Sequence, residues 1–247
     1  MSRWSAAGIH LSISAGIAAA ILLVIYLIWY PGPYFTAMGG DQLVLLVVGV
    51  DVVIGPLITL IIFRSGKPGL KFDLGVIAFL QSIALAYGVT VAAQARPVFT
   101  VFVVDRFETV SANAIEPAEL AKVTRPEFAT LSWLGPVVAG VVKPANNTEA
   151  DRILFAMLEG RDLQHFPQHF VSYDEIASEV ARRAQPIDLL KRYNRDREAE
   201  VDAFLRRNGV SAADVGFMPL RARKAELAAI VRKTGVIVGI LPLRPWP

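Results

Sequence analysis

Val50-Asp51-Val52-Val53-Ile54-Gly55-Pro56-Leu57-Ile58-Thr59-Leu60-Ile61-Ile62-Phe63 decides how this chain is read. It is the second part of an apolar run from 42 to 63. At about 1.5 Å per helical residue, such a run is long enough to cross the roughly 30 Å hydrocarbon core of a bilayer. Asp51 is its one acid and lies near its centre. A carboxylate at that depth costs about 2.5–3.5 kcal/mol on insertion scales, so it must be paired, hydrogen-bonded or protonated. Gly55 and Thr59 follow at helical spacing and share a small, polar stripe with Asp51. Pro56 has no N–H, so it is expected to free the carbonyl of Val52 and to kink the helix beside the acid.

Two more apolar runs flank this one. The first, from 6 to 30, holds one histidine and no charge. It exceeds the h-region of a cleaved signal, about 15 residues at most, and Trp29, Tyr30, Pro31 and Pro33 follow in place of a cleavage site. Trp29, Tyr30 and Tyr34 read as an aromatic belt at a membrane interface. Gly8, Ser12, Gly16 and Ala20 form a small-xxx-small face suited to close helix packing. The other run, from 74 to 95, is charge-free and brings Gln81 and Ser82 to a depth similar to that of Asp51. An Asp51–Gln81 hydrogen bond between antiparallel helices is the simplest way to satisfy the acid. Two roles for Asp51 stay open: a structural polar clamp within a three-helix bundle, or recognition of a polar group on another membrane helix. A lone acid makes a poor proton pathway, and three helices without an inverted repeat make a poor transporter.

The chain of 247 residues is 54% hydrophobic and 19% charged, with a mean hydropathy of +0.46. Soluble domains carry about 25% charge. The deficit is local: residues 1–95 hold four Lys/Arg and three Asp/Glu, leaving 21 and 19 of the chain's 25 and 22 for residues 96–247. The predicted fold class is three N-terminal transmembrane α-helices, residues 1–95, followed by a mixed α/β extracytoplasmic domain, residues 96–247. Arg3 precedes the first run, and Arg64, Lys67 and Lys71 fill the turn before the third, while the turn from 31 to 41 has no Lys or Arg. The positive-inside rule then puts the N-terminus in the cytoplasm and residues 96–247 outside, which in a Gram-negative cell is the periplasm. Arg96 is a small contrary sign. Neither part is strongly basic, which argues against nucleic-acid binding. There is no cysteine, which excludes disulfides, thiolate metal sites and cysteine nucleophiles.

In the C-terminal part, 97–105 reads as a buried strand, with 106–112 continuing it or pairing across a turn. Residues 116–123 read as a short helix and 134–142 as a strand. Thr148 is the expected cap of a helix to 159, and Ser172 and Glu175 form a capping-box pattern ahead of a helix to 184. One charged helix is expected from Pro186 to Arg207, then strands at 215–221, 225–232 and 236–241, the second of which fits a helix equally well on propensity alone. No catalytic constellation, cofactor motif or metal motif emerges, and no enzymatic role is expected. Pro167 interrupts the His165/His169 pair, which reads as packing or surface histidines, and Asp105, Arg106 and Glu108 read as a solvated turn with a local ion pair.

These residues carry a resemblance. The 50–63 stretch with its Asp-x-x-x-Gly-Pro-Leu-x-Thr core, Lys71-Phe-Asp73, Arg96-Pro97-Val98, Val101-Phe102 and Asp105-Arg106-Phe107 are similar to the type IV pilin accessory proteins. Leu220-Arg-Ala-Arg-Lys224, Thr234-Gly235 and Pro245-Trp246 fit the same pattern. The resemblance implies an inner-membrane protein that works with the major type IV pilin, and with other inner-membrane pilus assembly proteins, in pilin stability, assembly or surface display. It implies no cofactor. The pilin helix it implies carries an acid near its mature amino terminus. Asp51, Gly55, Pro56 and Thr59, with Gln81 opposite, are then expected to receive that helix, while residues 96–247 hold the pilin head. The alternatives are a membrane-anchored sensor with a periplasmic ligand-binding domain, and a membrane-attached periplasmic enzyme acting near His165, Asp105 or Glu108.

Overall fold

The computed structural model describes residues 2–144 and 146–247. The three apolar runs form the long helices α1 (Arg3–Trp29), α2 (Gly40–Ile62) and α3 (Leu70–Ala95), each long and apolar enough to cross a membrane. α2 is central; α1 and α3 pack on it from two sides and scarcely touch each other. α2 does not keep an α-helical register up to Pro56. It widens into a π-helical segment, Gly49–Ile54, in which the Gly55 N–H reaches the carbonyl of Val50. In that five-residue register the N–H due to the Asp51 carbonyl belongs to residue 56, a proline. The carbonyl set free is therefore that of Asp51, not that of Val52.

The packing face of α1 also differs from expectation. Ala6, Ser14 and Ala18 are buried and His10 is half-buried, whereas Gly8, Ser12, Gly16 and Ala20 all point outward. A Cβ on Gly8 or Gly16 would meet nothing within 4 Å, and the Ser12 hydroxyl donates back to the Gly8 carbonyl at 2.9 Å. The cause is polar. His10 Nδ1 lies 2.6 Å from Thr59 Oγ1, and that pair turns the histidine stripe of α1 toward α2.

The rest of the chain is a mixed sheet flanked by helices. Its strands are β1 (Pro97–Val103), β2 (Arg106–Ser111), β3 (Val137–Val141), β4 (Phe170–Ser172), β5 (Gln185–Pro186), β6 (Val215–Arg221), β7 (Glu226–Arg232) and β8 (Ile237–Leu241). Their order is β4-β3-β1-β2-β6-β7-β8, with β5 beside β6. β1/β3 and β2/β6 are parallel and the remaining pairs antiparallel. The longer helices are α4 (Asn147–Leu158), α5 (Tyr173–Arg183), α6 (Ile187–Tyr193) and α7 (Glu198–Arg207). Successive strand residues face opposite ways. Phe102, Phe107, Met218, Leu220 and Leu227 lie in one cluster with Ile176 and Val180 of α5. On the other face, Phe217, Ala228 and Ile230 pack on α6 and α7, and Phe99 and Val101 on Phe128 and Phe170.

The first cluster extends into the long-helix region. Tyr30, Tyr34, Ala37, Met38 and Ala92 belong to it. Tyr30 and Tyr34 are therefore buried against the sheet and do not form an interfacial belt. The Tyr30 hydroxyl donates to the Ala92 carbonyl at 2.8 Å, and that of Tyr34 lies 2.7 Å from Thr100 Oγ1. Burial, opposed by that hydrogen bond, pushes the Tyr34 phenol up to about 12. From the sheet, the Lys224 N–H and an Arg223 Nη2 donate to the carbonyls of Ala37 and Met38, both at 2.8 Å. Arg96 is buried as well, donating to the carbonyls of Ser132, Leu131 and Ala93.

Three local expectations change. The cap of α4 is Asn146, whose side chain accepts from the Glu149 N–H at 2.8 Å, not Thr148. The helix expected within 116–123 spans only Pro117–Leu120. The helix expected from Pro186 to Arg207 breaks at Asn194, between α6 and α7. Asn194 is buried, and its side chain donates to the carbonyls of Leu190 and Arg244 and accepts from the Arg244 N–H. Holding the C-terminal segment outweighs helical continuity there. The capping box of Ser172 with Glu175 forms as expected.

Candidate functional site

Asp51, Gly55, Pro56 and Thr59 are all buried on the inner side of α2, and Gln81 is half-buried opposite them on α3. Each has a definable part in one polar knot. The Gln81 amide Nε2 donates to the Asp51 backbone carbonyl at 3.3 Å. This is the carbonyl stranded by the π register and Pro56. The expected bond to the Asp51 carboxylate is absent: the Gln81 amide reaches the backbone carbonyl and not the side chain. Gln81 approaches so closely that a Cβ on Gly55 would collide with its side-chain amide. Thr59 is held by His10.

The Asp51 carboxyl is left over. Its side chain is on a residue only 6% exposed, and neither oxygen has a partner. Gln81 Oε1 is also buried without a partner. Its orientation is fixed, since turning the amide over would point oxygen at the Asp51 carbonyl oxygen. Three buried acceptors therefore lack a partner in a region that mixes apolar side chains with His10, Ser14 and Ser82. Beside them is a cavity of about 150 Å³, lined by His10, Ser14, Ile17, Asp51, Gln81 and Ser82 among others. It lies in the cleft between α1 and α3, with Asp51 of α2 as its floor. A buried unpaired acceptor costs about 1–3 kcal/mol, more when charged. The arrangement suits a donor entering from outside these three helices. His10 and Ser14 were not singled out from the sequence. The signal was there: His10 is the one histidine in a charge-free run, and Ser14 follows it by one helical turn.

Thr109 Oγ1, Gln164 Oε1 and Gln168 Oε1 are also buried without a partner, one per residue and away from this knot, while the other candidate residues are paired within the fold. Arg106 pairs with Asp105 at 3.2 Å and Glu108 at 2.6 Å, the local ion pair expected, but Glu108 lies in β2 and is buried rather than in a solvated turn. His165 Nδ1 accepts from the Asp162 N–H at 3.1 Å, and burial holds the imidazole below its ordinary value. His169 bonds instead to Glu149 at 3.1 Å, so the two histidines have separate partners. Glu119, buried, accepts from Arg152, Lys122 and Gln168. Arg152 also grips Glu149 and, against some desolvation, helps hold that carboxyl at about 2. Among the described residues no group of three or more acids or histidines could hold a metal ion.

Comparison with known proteins bears on the whole arrangement. The family model described as Fimbrial assembly protein FimB matches residues 1–39, which cover α1 and the turn buried against the sheet. The fimbrial assembly protein of serogroup I of Dichelobacter nodosus is 30% identical over 222 residues, 88% of this chain and 86% of that protein. The chain belongs to the fimbrial assembly protein family. The serogroup E1 protein of the same organism is 29% identical over the same length. That of serogroups C1 and C2 is 39% identical over 116 residues, 46% of this chain and 88% of that protein. No solved structure matches. The names of these fimbrial assembly proteins are those of assembly factors rather than enzymes, in agreement with the resemblance to type IV pilin accessory proteins.

Proposed function

We propose that this protein assists type IV pilus assembly by holding the pilin subunit in the bacterial inner membrane before it is incorporated. Residues 1–95 span the bilayer three times with the N-terminus cytoplasmic, and residues 96–247 lie in the periplasm. The pilin helix lodges in the cleft between α1 and α3, over Asp51, while the periplasmic domain contacts the pilin head. Two contacts on one partner raise each other's occupancy through effective concentration. The role is chaperone-like and non-enzymatic, and other inner-membrane assembly proteins are further partners.

One observation carries this reading: Asp51 Oδ1 and Oδ2 and Gln81 Oε1 are buried acceptors with no donor. The amino group of a pilin helix supplies donors that suit them, and a protonated acid on that helix supplies one more. Within this reading, Gly55, Pro56 and Thr59 act through Asp51: Gly55 admits Gln81, Pro56 frees the carbonyl that Gln81 binds, and Thr59 aligns α1 through His10. The basic turn with Arg64, Lys67 and Lys71 supports the orientation. So does the docking of the uncharged 31–38 turn on the sheet, which puts both on one side.

Asp51→Asn tests the proposal. The variant keeps the size of the side chain but removes the charge. Pilin co-purification from native membranes is expected to fall while the level of the protein stays normal. Loss of the protein itself would favour the clamp role, and unchanged pilin recovery would contradict the proposal.

A further inference from the structure

We propose that the 131–135 loop is a wedge seated in the leaflet where α1 and α3 leave the bilayer on the sheet side. The inference rests on the membrane reading above and adds a lipid contact made by the C-terminal domain itself. The loop touches the ends of both helices. The ring of Trp133 lies 5.7 Å from that of Trp29, in the last turn of α1. The Arg96 guanidinium, directly after α3, sits over Trp133 at 3.6 Å from its centroid. A Cβ on Gly135 would touch Pro31 and the Ile28 carbonyl.

At that level the loop exposes the wrong surface for water. Trp133 is 56% exposed and Leu134 85%. Behind them a cleft of about 1400 Å³ opens between the loop and the last turns of α3, with Val89, Ala93, Ile115 and Leu120 on its walls. The lining is thus shared between α3 and the domain: Val89 and Ala93 of α3 continue onto Ile115, Leu120 and Leu131, interspersed with the polar Thr90, Gln94, Arg96 and Asn113, a mixture suited to the headgroup level. Tryptophan with an arginine stacked on it is suited to the headgroup level, where one side is wet and the other apolar. Leucine at the tip reaches further, among acyl chains. Lipid is the occupant that this continuity selects.

The chain has no cysteine, so single labels report single sites. Leu134→Cys, Leu57→Cys and Arg207→Cys are each labelled with an environment-sensitive fluorophore in the full chain. Each is then placed in nanodiscs of phosphatidylethanolamine and phosphatidylglycerol with and without spin-labelled lipid. Leu57 lies on the outer surface of α2 and reports the span; Arg207 lies on α7, on the sheet face away from the docked turn. The wedge predicts blue-shifted emission and lipid quenching at Leu134 comparable to Leu57, and neither at Arg207. Leu57 quenched with Leu134 as wet as Arg207 overturns the wedge alone. Leu57 unquenched overturns the membrane reading and the wedge with it. Protection of Leu134 only when pilin is added, without lipid quenching, assigns the loop to pilin and also overturns the wedge.

Discussion

At the scale of residues, a charge in an apolar run announces itself, and so Asp51 could be found without a structure. What it does locally could not. Burial of Asp51, Gly55 and Thr59 is compatible with either an α or a π register, so periodicity alone does not reveal that Pro56 strands the Asp51 carbonyl. The consequence is a testable coupling. Gln81→Leu removes the donor to that carbonyl and is expected to cost about 1–2 kcal/mol in the stability of the full chain. Pro56→Ala supplies an N–H at residue 56. In the Gln81→Leu background it should recover much of that loss, and in the parent it should gain little. A double-mutant cycle of unfolding midpoints in detergent reads the interaction, and simple additivity would refute the assignment. His10 shows a second limit. A lone histidine is not a pattern, and its meaning comes from Thr59, 49 residues away.

At the scale of elements, the longer strands were legible from β-branched and aromatic runs broken by glycine and proline, whereas 225–232 fitted a helix equally well and the short β4 and β5 carried no run to read. The break at Asn194 was not legible, since the charge pattern of 187–207 is continuous and the cause is Arg244, 50 residues on. The small face of α1 was misassigned for a similar reason. Spacing finds two stripes on that helix, and the partner's polar groups choose between them. The Glu119–Arg152–Glu149 network joins the Pro117–Leu120 turn to α4 and makes acid sensitivity an element-level property. The folded-state value of Glu149, about 2, lies below its ordinary 4.5. Its contribution is therefore present above about pH 4.5 and is lost as the pH falls toward 2. Glu149→Gln is expected to lower the melting temperature at neutral pH and to flatten its decline over that acid window. An equally steep decline in the variant would assign the sensitivity elsewhere.

At the scale of the whole molecule, composition separated an apolar first part from a charged second part, yet the core does not respect the border at residue 95. Tyr30, Tyr34, Ala37, Met38 and Ala92 cover the sheet residues Phe102, Phe107 and Leu220. A fragment of residues 96–247 is thus expected to be less stable and more aggregation-prone than the same residues in the full chain. Sedimentation and amide exchange of the two would check this, and an equally protected β1 and β6 in the fragment would contradict it. The same docking joins the long helices to the domain, and the proposed function has them hold a partner at two heights. That claim is tested most directly by photocrosslinking in native membranes from Ile17 and Ser82, on the rim of the Asp51 cleft, with Ser12 on the outward face of α1 as control. The account predicts pilin adducts from both rim positions, diminished by Asp51→Asn, and none from Ser12. Equal adducts from Ser12, or none from the rim while pilin still co-purifies, would contradict it.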